Sequence, residues 1–337
     1  MPDSNRTIRD VAHRAGVSIT TVSRTINSPS LVDPATARKV WKAIEDLNYL
    51  PDTQARSLVS GRSRLLGLVV TDMSNPFYAD LIQSFEDIAV DEGYGLLLSS
   101  TKYDSERTST CIRQMLERKV EGVIITSEME DRFLDQIGRR SVPMVFIELA
   151  PTMKGVFKIS VDCAAGIEQA ISHLVGLGHR QIAFVSGPRR LRTANVRRAA
   201  FFESLHRHGI CDDDMPVFEG DHKMPGGVAA AAELFKLDRR PTAVLTSNDL
   251  MALGVMAAVR QAGLRIPGDL SIVGFDDIWL AETSDPPLTT IRLCRRELAS
   301  AAFRALLQCI NGNEKACTEE SQRVETRLVI RASTCAV

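Results

Sequence analysis

Long apolar runs are missing from this chain of 337 residues. No stretch approaches the roughly 18 consecutive apolar residues of a membrane helix. The opening MPDSNRTIRD has no apolar segment behind its charges, so neither an anchor nor an export leader is expected, and the chain should remain in the cytoplasm. Paired cysteines are missing too. The seven that occur (Cys111, Cys163, Cys211, Cys294, Cys309, Cys317, Cys335) form no C-x-x-C, and their odd number argues against a disulfide framework or a zinc site. His206 and His208 are two apart and fall on different helix faces, which disfavours a metal pair. There is no G-x-S-x-G, no H-E-x-x-H and no P-loop, and GLGHRQ lacks the third glycine of a dinucleotide fingerprint. Catalysis, a metal and a cofactor are therefore not expected.

What is present is enough apolar material for large cores, at 44% hydrophobic residues, in a length that suits two or three domains. The net charge of −1 hides an asymmetry. Residues 1–64 hold ten Lys/Arg against six acids, and the remainder holds 31 against 36. A basic head on an acidic body suits one end meeting a polyanion, although a charge run is also an ordinary solvated face.

The head reads as three short helices. Thr7 with Asp10 three residues on resembles a capping box, Val11, Ala12 and Ala15 share one face, and Gly16 stops the helix. Ser18 caps a second helix whose Val22 and Ile26 continue the apolar face, and Asp33-Pro34 opens a third with Val40, Ile44 and Leu47. This is helix-turn-helix grammar. It turns Ile19, Thr20 and Arg24 outward, where a major groove would meet an aliphatic group, a hydroxyl and a guanidinium that grips guanine with two hydrogen bonds. Thr7, Ser18, Thr21 and Asn27 would hold phosphates. The plain alternative is a small helical hairpin with a solvated face. The next segment, Gln54 to Gly61, is too short for a stable lone helix and should be disordered away from DNA. Alternatively it is a polar linker with Leu58 packed on the following domain.

After Arg64 short apolar runs alternate with helical stretches: LGLVV, GLLLSS, GVIIT, PMVFI, QIAFVS, TAVLT and SIVGF read as buried parallel strands. Gly93, Gly178, Gly209 and Gly263 stand where left-handed helix ends are needed. So many strands, with the pattern broken at Pro151–Val161, suggest two doubly wound subdomains and a cleft between them. Ligands in open parallel sheets sit beyond the carboxyl ends of the strands. That rule selects Asp72 to Tyr78, Glu148, Asn248, Asp249, Asp276 and Asp277, with Arg197 on the helix after QIAFVSGP. Carboxylates, an amide and aromatic rings suit a sugar or polyol. Competing structural readings accompany several of these. Asp249 is expected to cap the helix LMALG, Asp276 and Asp277 are both possible turn residues with one facing the cleft, and Phe77 is equally at home in a core. Trp279 either packs or stacks at the cleft mouth, and His179 joins a loop to a strand.

The stretches TIRDVAHRAGVSITTVSRTIN, VDPATARKVWKAIEDLNYLPD, QARSLVSGRS, LGLVVTDMSNPFYADL, GHRQIAFVSGP, SNDLMALGVMAAV, SIVGFDDI and PPLTTIR together resemble the LacI/GalR family of bacterial repressors over nearly the whole chain. The resemblance implies an all-α helix-turn-helix DNA-binding head at 1–49 and a hinge segment at 50–62. A periplasmic-binding-protein-like α/β body of two doubly wound parallel-sheet subdomains follows at 63–337. Its N-subdomain would cover about 63–162 and 293–323 and its C-subdomain about 163–292 and 324–337, with crossings near Val161, Ile291 and Val324. In such proteins the hinge folds as two copies pair over the minor groove, which adds Ala55 and Leu58 to the DNA-binding set, Leu58 as a wedge between base pairs. Phe77, Tyr78, Glu148, Arg197, Asn248 and Asp276 match positions lining the effector pocket. Glu148 stands where aspartate is more usual, Cys163 replaces an asparagine, and Ala200 replaces a glycine. The implied partners are a pseudo-palindromic operator, a small effector such as a sugar or a purine, and a second copy of the chain. A leucine heptad for tetramers is lacking in RLVIRASTCAV, so a homodimer is expected. A solute receptor that does not bind DNA is the alternative.

Overall fold

The computed structural model describes residues 6–50, 61–129, 142–148, 156–211, 215–312 and 322–337. The chain divides into one compact unit that ends at Ser63 and a second that begins at Arg64. Ala55 and Leu58 lie outside the described residues.

The first unit contains α1 (Ile8–Ala15), α2 (Ile19–Asn27), a short 3-10 turn at Pro29–Leu31 and α3 (Pro34–Asp46). Local chemistry sets each boundary. The Asp10 carboxylate accepts the Thr7 amide at 2.7 Å and the Thr7 hydroxyl at 2.9 Å, which satisfies a donor at the start of α1. Gly16 ends α1 at φ 65°, where a side chain would be strained. Ser18 Oγ accepts the Thr21 amide at 3.1 Å, and Asp33 accepts that of Thr36 at 3.0 Å, ahead of Pro34. Val11, Ala12, Val22, Val40 and Ala43 form the small core, with Ile26, Ile44 and Leu47 packed around it. Thr25 is fully buried in the middle of α2 because its hydroxyl bonds back to the Thr21 carbonyl at 2.8 Å.

Among its described residues the second unit has eleven strands, β1 (Leu65–Val70), β2 (Gly95–Ser100), β3 (Gly122–Ile125), β4 (Met144–Ile147), β5 (Val156–Asp162), β6 (Ile182–Ser186), β7 (Val217–Glu219), β8 (Ala243–Thr246), β9 (Ser271–Asp276), β10 (Thr289–Leu293) and β11 (Arg323–Val329). The helices between them are α4 (Pro76–Asp91), α5 (Ser105–Glu117), α6 (Cys163–Gly176), α7 (Arg192–Arg207), α8 (Met224–Leu234), α9 (Asp249–Gln261), α10 (Trp279–Thr283) and α11 (Arg295–Ile310). Strand order is β2-β1-β3-β4-β5-β11-β10-β9-β8-β6-β7. The run β2-β1-β3-β4-β5 and the run β7-β6-β8-β9-β10 repeat one doubly wound order, so the body is two half-sheets of the same topology. All pairs are parallel except β10 with β11. The halves join through β5, β10 and β11. Ile147 pairs with Ile159 in the first half, Val324 with Val161 at the junction, and Ile291 with Leu328 toward the second.

Each half has its own core. Leu66, Leu81, Phe85, Ile124 and Val145 pack against Leu298, Phe303 and Leu306 of α11, which therefore belongs to the first half although it follows the second in sequence. Phe184, Phe201, Phe275 and Ile167 centre the second, with Ala200 buried beside them. Gly93, Gly178, Gly209 and Gly263 all carry positive φ, as helix ends placed before strands require. Among the described residues no helix is long and apolar enough to cross a membrane.

Candidate functional site

On α2 the outward face is real: Ile19, Thr20 and Arg24 are exposed, Ile19 by 45%. The polar residues around them are already partly engaged. Ser18 Oγ lies 2.9 Å from Thr21 Oγ1 as well as on its amide, Asn27 Nδ2 donates to Ser23 Oγ at 3.3 Å, and the Thr7 hydroxyl is on Asp10. A short helix thus presents an aliphatic group, a hydroxyl and a guanidinium side by side.

In the second unit the carboxyl ends of both half-sheets open onto one cavity of 490 Å³. The first half contributes Thr71, Phe77 and Tyr78 after β1, Tyr103 after β2, Ser127 and Glu128 after β3, and Glu148 after β4. The second contributes Arg190, Thr193 and Arg197 after β6, His222 after β7, Asn248 after β8 and Asp276 at the end of β9. All six residues that the strand-end rule and the family pattern single out, Phe77, Tyr78, Glu148, Arg197, Asn248 and Asp276, line this cavity.

Arg197 is the hub. Its side chain is 9% exposed, with Nη1 donating to the Ser247 carbonyl at 2.6 Å and Nη2 to Glu148 Oε1 at 3.4 Å. Asp276 Oδ1 stands 3.9 Å from Nη1, and the guanidinium lies 3.9 Å from the centre of the Phe275 ring. Burial works against its charge, but Glu148 and Asp276 outweigh that cost and hold its pKa above the ordinary range. The Asp276 carboxyl is pushed up to about 7 by burial, which Arg197 only partly offsets. It accepts no hydrogen bond among the described residues, so its oxygens are free for a ligand. Cys163, in the place of the family's asparagine, donates its thiol to Glu148 Oε1 at 3.6 Å, and burial raises that thiol to about 12, which makes it a poor nucleophile.

Asn248, not the expected Asp249, caps α9. Its Oδ1 accepts the Met251 amide at 3.0 Å and its Nδ2 donates to the His222 carbonyl at 2.9 Å, which leaves one amide proton for the cavity. Asp249 is fully buried and structural by another route, accepting the Ile278 amide at 2.8 Å and the Thr290 hydroxyl at 2.5 Å. Of the neighbouring aspartates, Asp276 faces the cavity. Asp277 turns away to Arg292 Nε at 2.5 Å and Arg331 Nη2 at 2.7 Å. Phe77 belongs to both the core and the lining. Trp279 is 58% exposed and lies outside the lining. His179 ties Thr242 at 2.8 Å to the Cys335 carbonyl at 3.0 Å, a purely structural link.

Sequence reasoning missed five lining residues that bridge the halves, Glu128, Thr193, Arg190, Tyr103 and His222. Glu128 Oε1 accepts the Thr193 amide at 3.0 Å and its hydroxyl at 3.3 Å, supplying α7 with the cap that Leu191 cannot give. Arg190 Nη1 donates to the Tyr103 carbonyl at 2.9 Å, and Tyr103 meets the His222 ring edge to face at 5.6 Å. Burial, with Arg197 and Arg190 nearby, lowers His222 to about 3, so the ring is neutral. The same strand-end rule, applied to TKYD and TSEM, contained the signal for Tyr103 and Glu128.

A helix-turn-helix head followed by a doubly halved α/β body with a ligand-sized interlobe cavity defines the class, a DNA-binding regulator with a periplasmic-binding-protein-like domain. Residues 7–52 match the model of the bacterial regulatory proteins of the lacI family, and 171–334 match the periplasmic binding protein-like domain. The HTH-type transcriptional repressor PurR of Photobacterium profundum is 34% identical over 97% of this chain and 98% of its own. The lac repressor dimer bound to operator and the anti-inducer ONPF superposes with a TM-score of 0.88 at 31% identity, covering 99% of this chain and 100% of that one. A transcriptional regulator CelR-cellobiose complex gives a TM-score of 0.69 at 31% identity, covering 97% and 99%. The chain belongs to the LacI family and is a DNA-binding transcriptional repressor.

Proposed function

We propose that this repressor reads a pseudo-palindromic operator as a homodimer in the cytoplasm, and that a sugar or related polyol bound in the 490 Å³ cavity sets its operator affinity. The observation that carries this reading is the convergence on one cavity of an unbonded Asp276 carboxylate, the buried Arg197 and the spare amide proton of Asn248 from the second half-sheet, facing Glu148, Phe77 and Tyr78 from the first. Such groups form paired hydrogen bonds with adjacent hydroxyls, while Phe77 and Tyr78 offer rings to a sugar's apolar face. The cellobiose bound by a relative supports the same class. On the DNA side, Arg24, Thr20 and Ile19 meet base edges, Thr7, Ser18, Thr21 and Asn27 meet phosphates, and Ala55 and Leu58 meet the minor groove. A purine is the second reading, favoured by the flat Tyr103 and His222 rings that border the cavity and could stack on a base.

Thermal-shift screening of sugars, polyols and nucleobases separates the two. The stabilising compound is then added to gel shifts at about 150 mM salt, where specific binding outlasts the nonspecific kind. The reading requires a change in affinity for a palindromic site and none for scrambled DNA. A stabilising compound without effect on DNA affinity refutes it.

A further inference from the structure

The Asp276 carboxylate owes its position to an unusual piece of backbone. Asp276 has φ 111° and Asp277 φ 54°, two consecutive non-glycine residues in the left-handed region, which a chain keeps only where its surroundings hold it there. We infer that Arg295, a residue of the opposite half that is not part of the cavity lining, is the positioning residue that holds this turn and so aims the Asp276 carboxylate at the effector.

The contacts form a fork. Arg295 Nη1 donates to the Asp276 carbonyl at 2.9 Å and the Asp277 carbonyl at 3.1 Å, the two oxygens that the left-handed turn brings together. Its Nε lies 3.4 Å from Asp80 on α4, and its guanidinium carbon sits 5.9 Å from the centre of the Phe77 ring. Arg295 is the first residue of α11, whose apolar face is packed in the first half, whereas the turn closes β9 of the second. The remaining polar groups of the turn are tied from within the second half and from the junction strand β10. Arg331 and Arg292 take the Asp277 carboxylate, and Asp249 takes the Ile278 amide at 2.8 Å. The Asp276 carboxylate alone has no hydrogen-bond donor among the described residues, with Arg197 Nη1 at 3.9 Å. Of the carbonyls and carboxylates of Asp276 and Asp277, the one without a hydrogen-bond donor among the described residues is the carboxylate that faces the cavity. A lysine retains the charge but not the planar fork that spans two carbonyls and a carboxylate at once.

This inference rests on reading the cavity as the effector site, and the test separates the two. Hydrogen exchange of the Ile278 amide in the full chain reports the turn, and ¹³C NMR of aspartate-labelled protein reports the Asp276 titration, assigned by its loss in Asp276→Asn. The groups facing that carboxylate besides Arg295 are Arg197, Glu148, Tyr78, Tyr103 and Asp249. Arg295→Gln is expected to speed Ile278 exchange about tenfold or more, as local opening becomes easier, while α11 amides keep their protection. The Asp276 midpoint should move above about 7, because the cation that opposes its protonation is gone. Arg295→Lys should restore the midpoint but not the protection, and Asp80→Asn should change neither. Wild-type protection of Ile278 in both Arg295 variants overturns the inference, and the lysine variant carries that readout if the glutamine one fails to fold. A compound response that survives in Asp276→Asn, with ribose and cellobiose as probes, would instead overturn the effector reading.

Discussion

Replacing Asp276 by asparagine isolates one charge with almost no change of shape, since asparagine tolerates the left-handed backbone at least as well as aspartate. Asp276 is 5% exposed, and its carboxyl is raised from 3.8 to about 7 by burial that Arg197 only partly offsets. A carboxyl whose folded value lies above its unfolded one holds its proton more tightly in the folded state. Stability therefore falls as pH rises between those two values and levels off above the higher. From about pH 5 to about pH 8 the wild type should lose the equivalent of some two units, roughly 3 kcal/mol at about 1.4 kcal/mol per unit, that the variant keeps. Removing the carboxylate also deprives Arg197 of one counter-charge, but Glu148 remains at 3.4 Å and this offset does not vary over the same range. The decisive quantity is thus the difference in slope. Urea midpoints of the two proteins across that interval should diverge, with the variant gaining on the wild type as the solution becomes more alkaline. Parallel curves would show that the carboxyl titrates normally and that the buried, donor-free description of it is wrong.

Gly187→Ala would put a methyl group 1.5 Å from His222 Nε2, so the ring must swing out of place. A cost of about 1–3 kcal/mol is expected in thermal unfolding, as for other overpacked cores. In a His222→Ala background the same change should cost less than half as much, and an equal cost would reject the clash. Arg24→Ala should lose about 1–3 kcal/mol at one base position in gel shifts over a set of operator variants, and an unchanged sequence preference would remove Arg24 from base reading.

The head was legible almost residue by residue, because its helix ends are made by neighbours in sequence. Thr7 with Asp10, Gly16, Ser18 and Asp33 act within a few positions, and each sits where its local chemistry demands. The strands were legible from apolar runs, and the cavity's six residues from the strand-end rule taken together with the family resemblance, since the rule alone also selects Asp249 and Asp277, which do not line it. The exchange of roles between Asn248 and Asp249 was not. Both types cap helices, and only the buried Thr290 hydroxyl and Ile278 amide, 41 and 29 residues away, draw Asp249 inward.

By itself, then, the amino-acid order determined the two units, the alternation of strands and helices, and the exposed trio on α2, since these follow from periodicity and capping that act over short separations. Tertiary structure alone decided which carboxylate stays free and which is spent. Asp276 and Asp277 are adjacent and chemically identical, yet one faces the cavity while the other is held by Arg292 and Arg331. The physical reason is that a carboxylate's fate depends on which donors folding brings to hydrogen-bond distance, at 2.5 and 2.7 Å for Asp277 against 3.9 Å for the nearest cation of Asp276, and sequence distance says nothing of them.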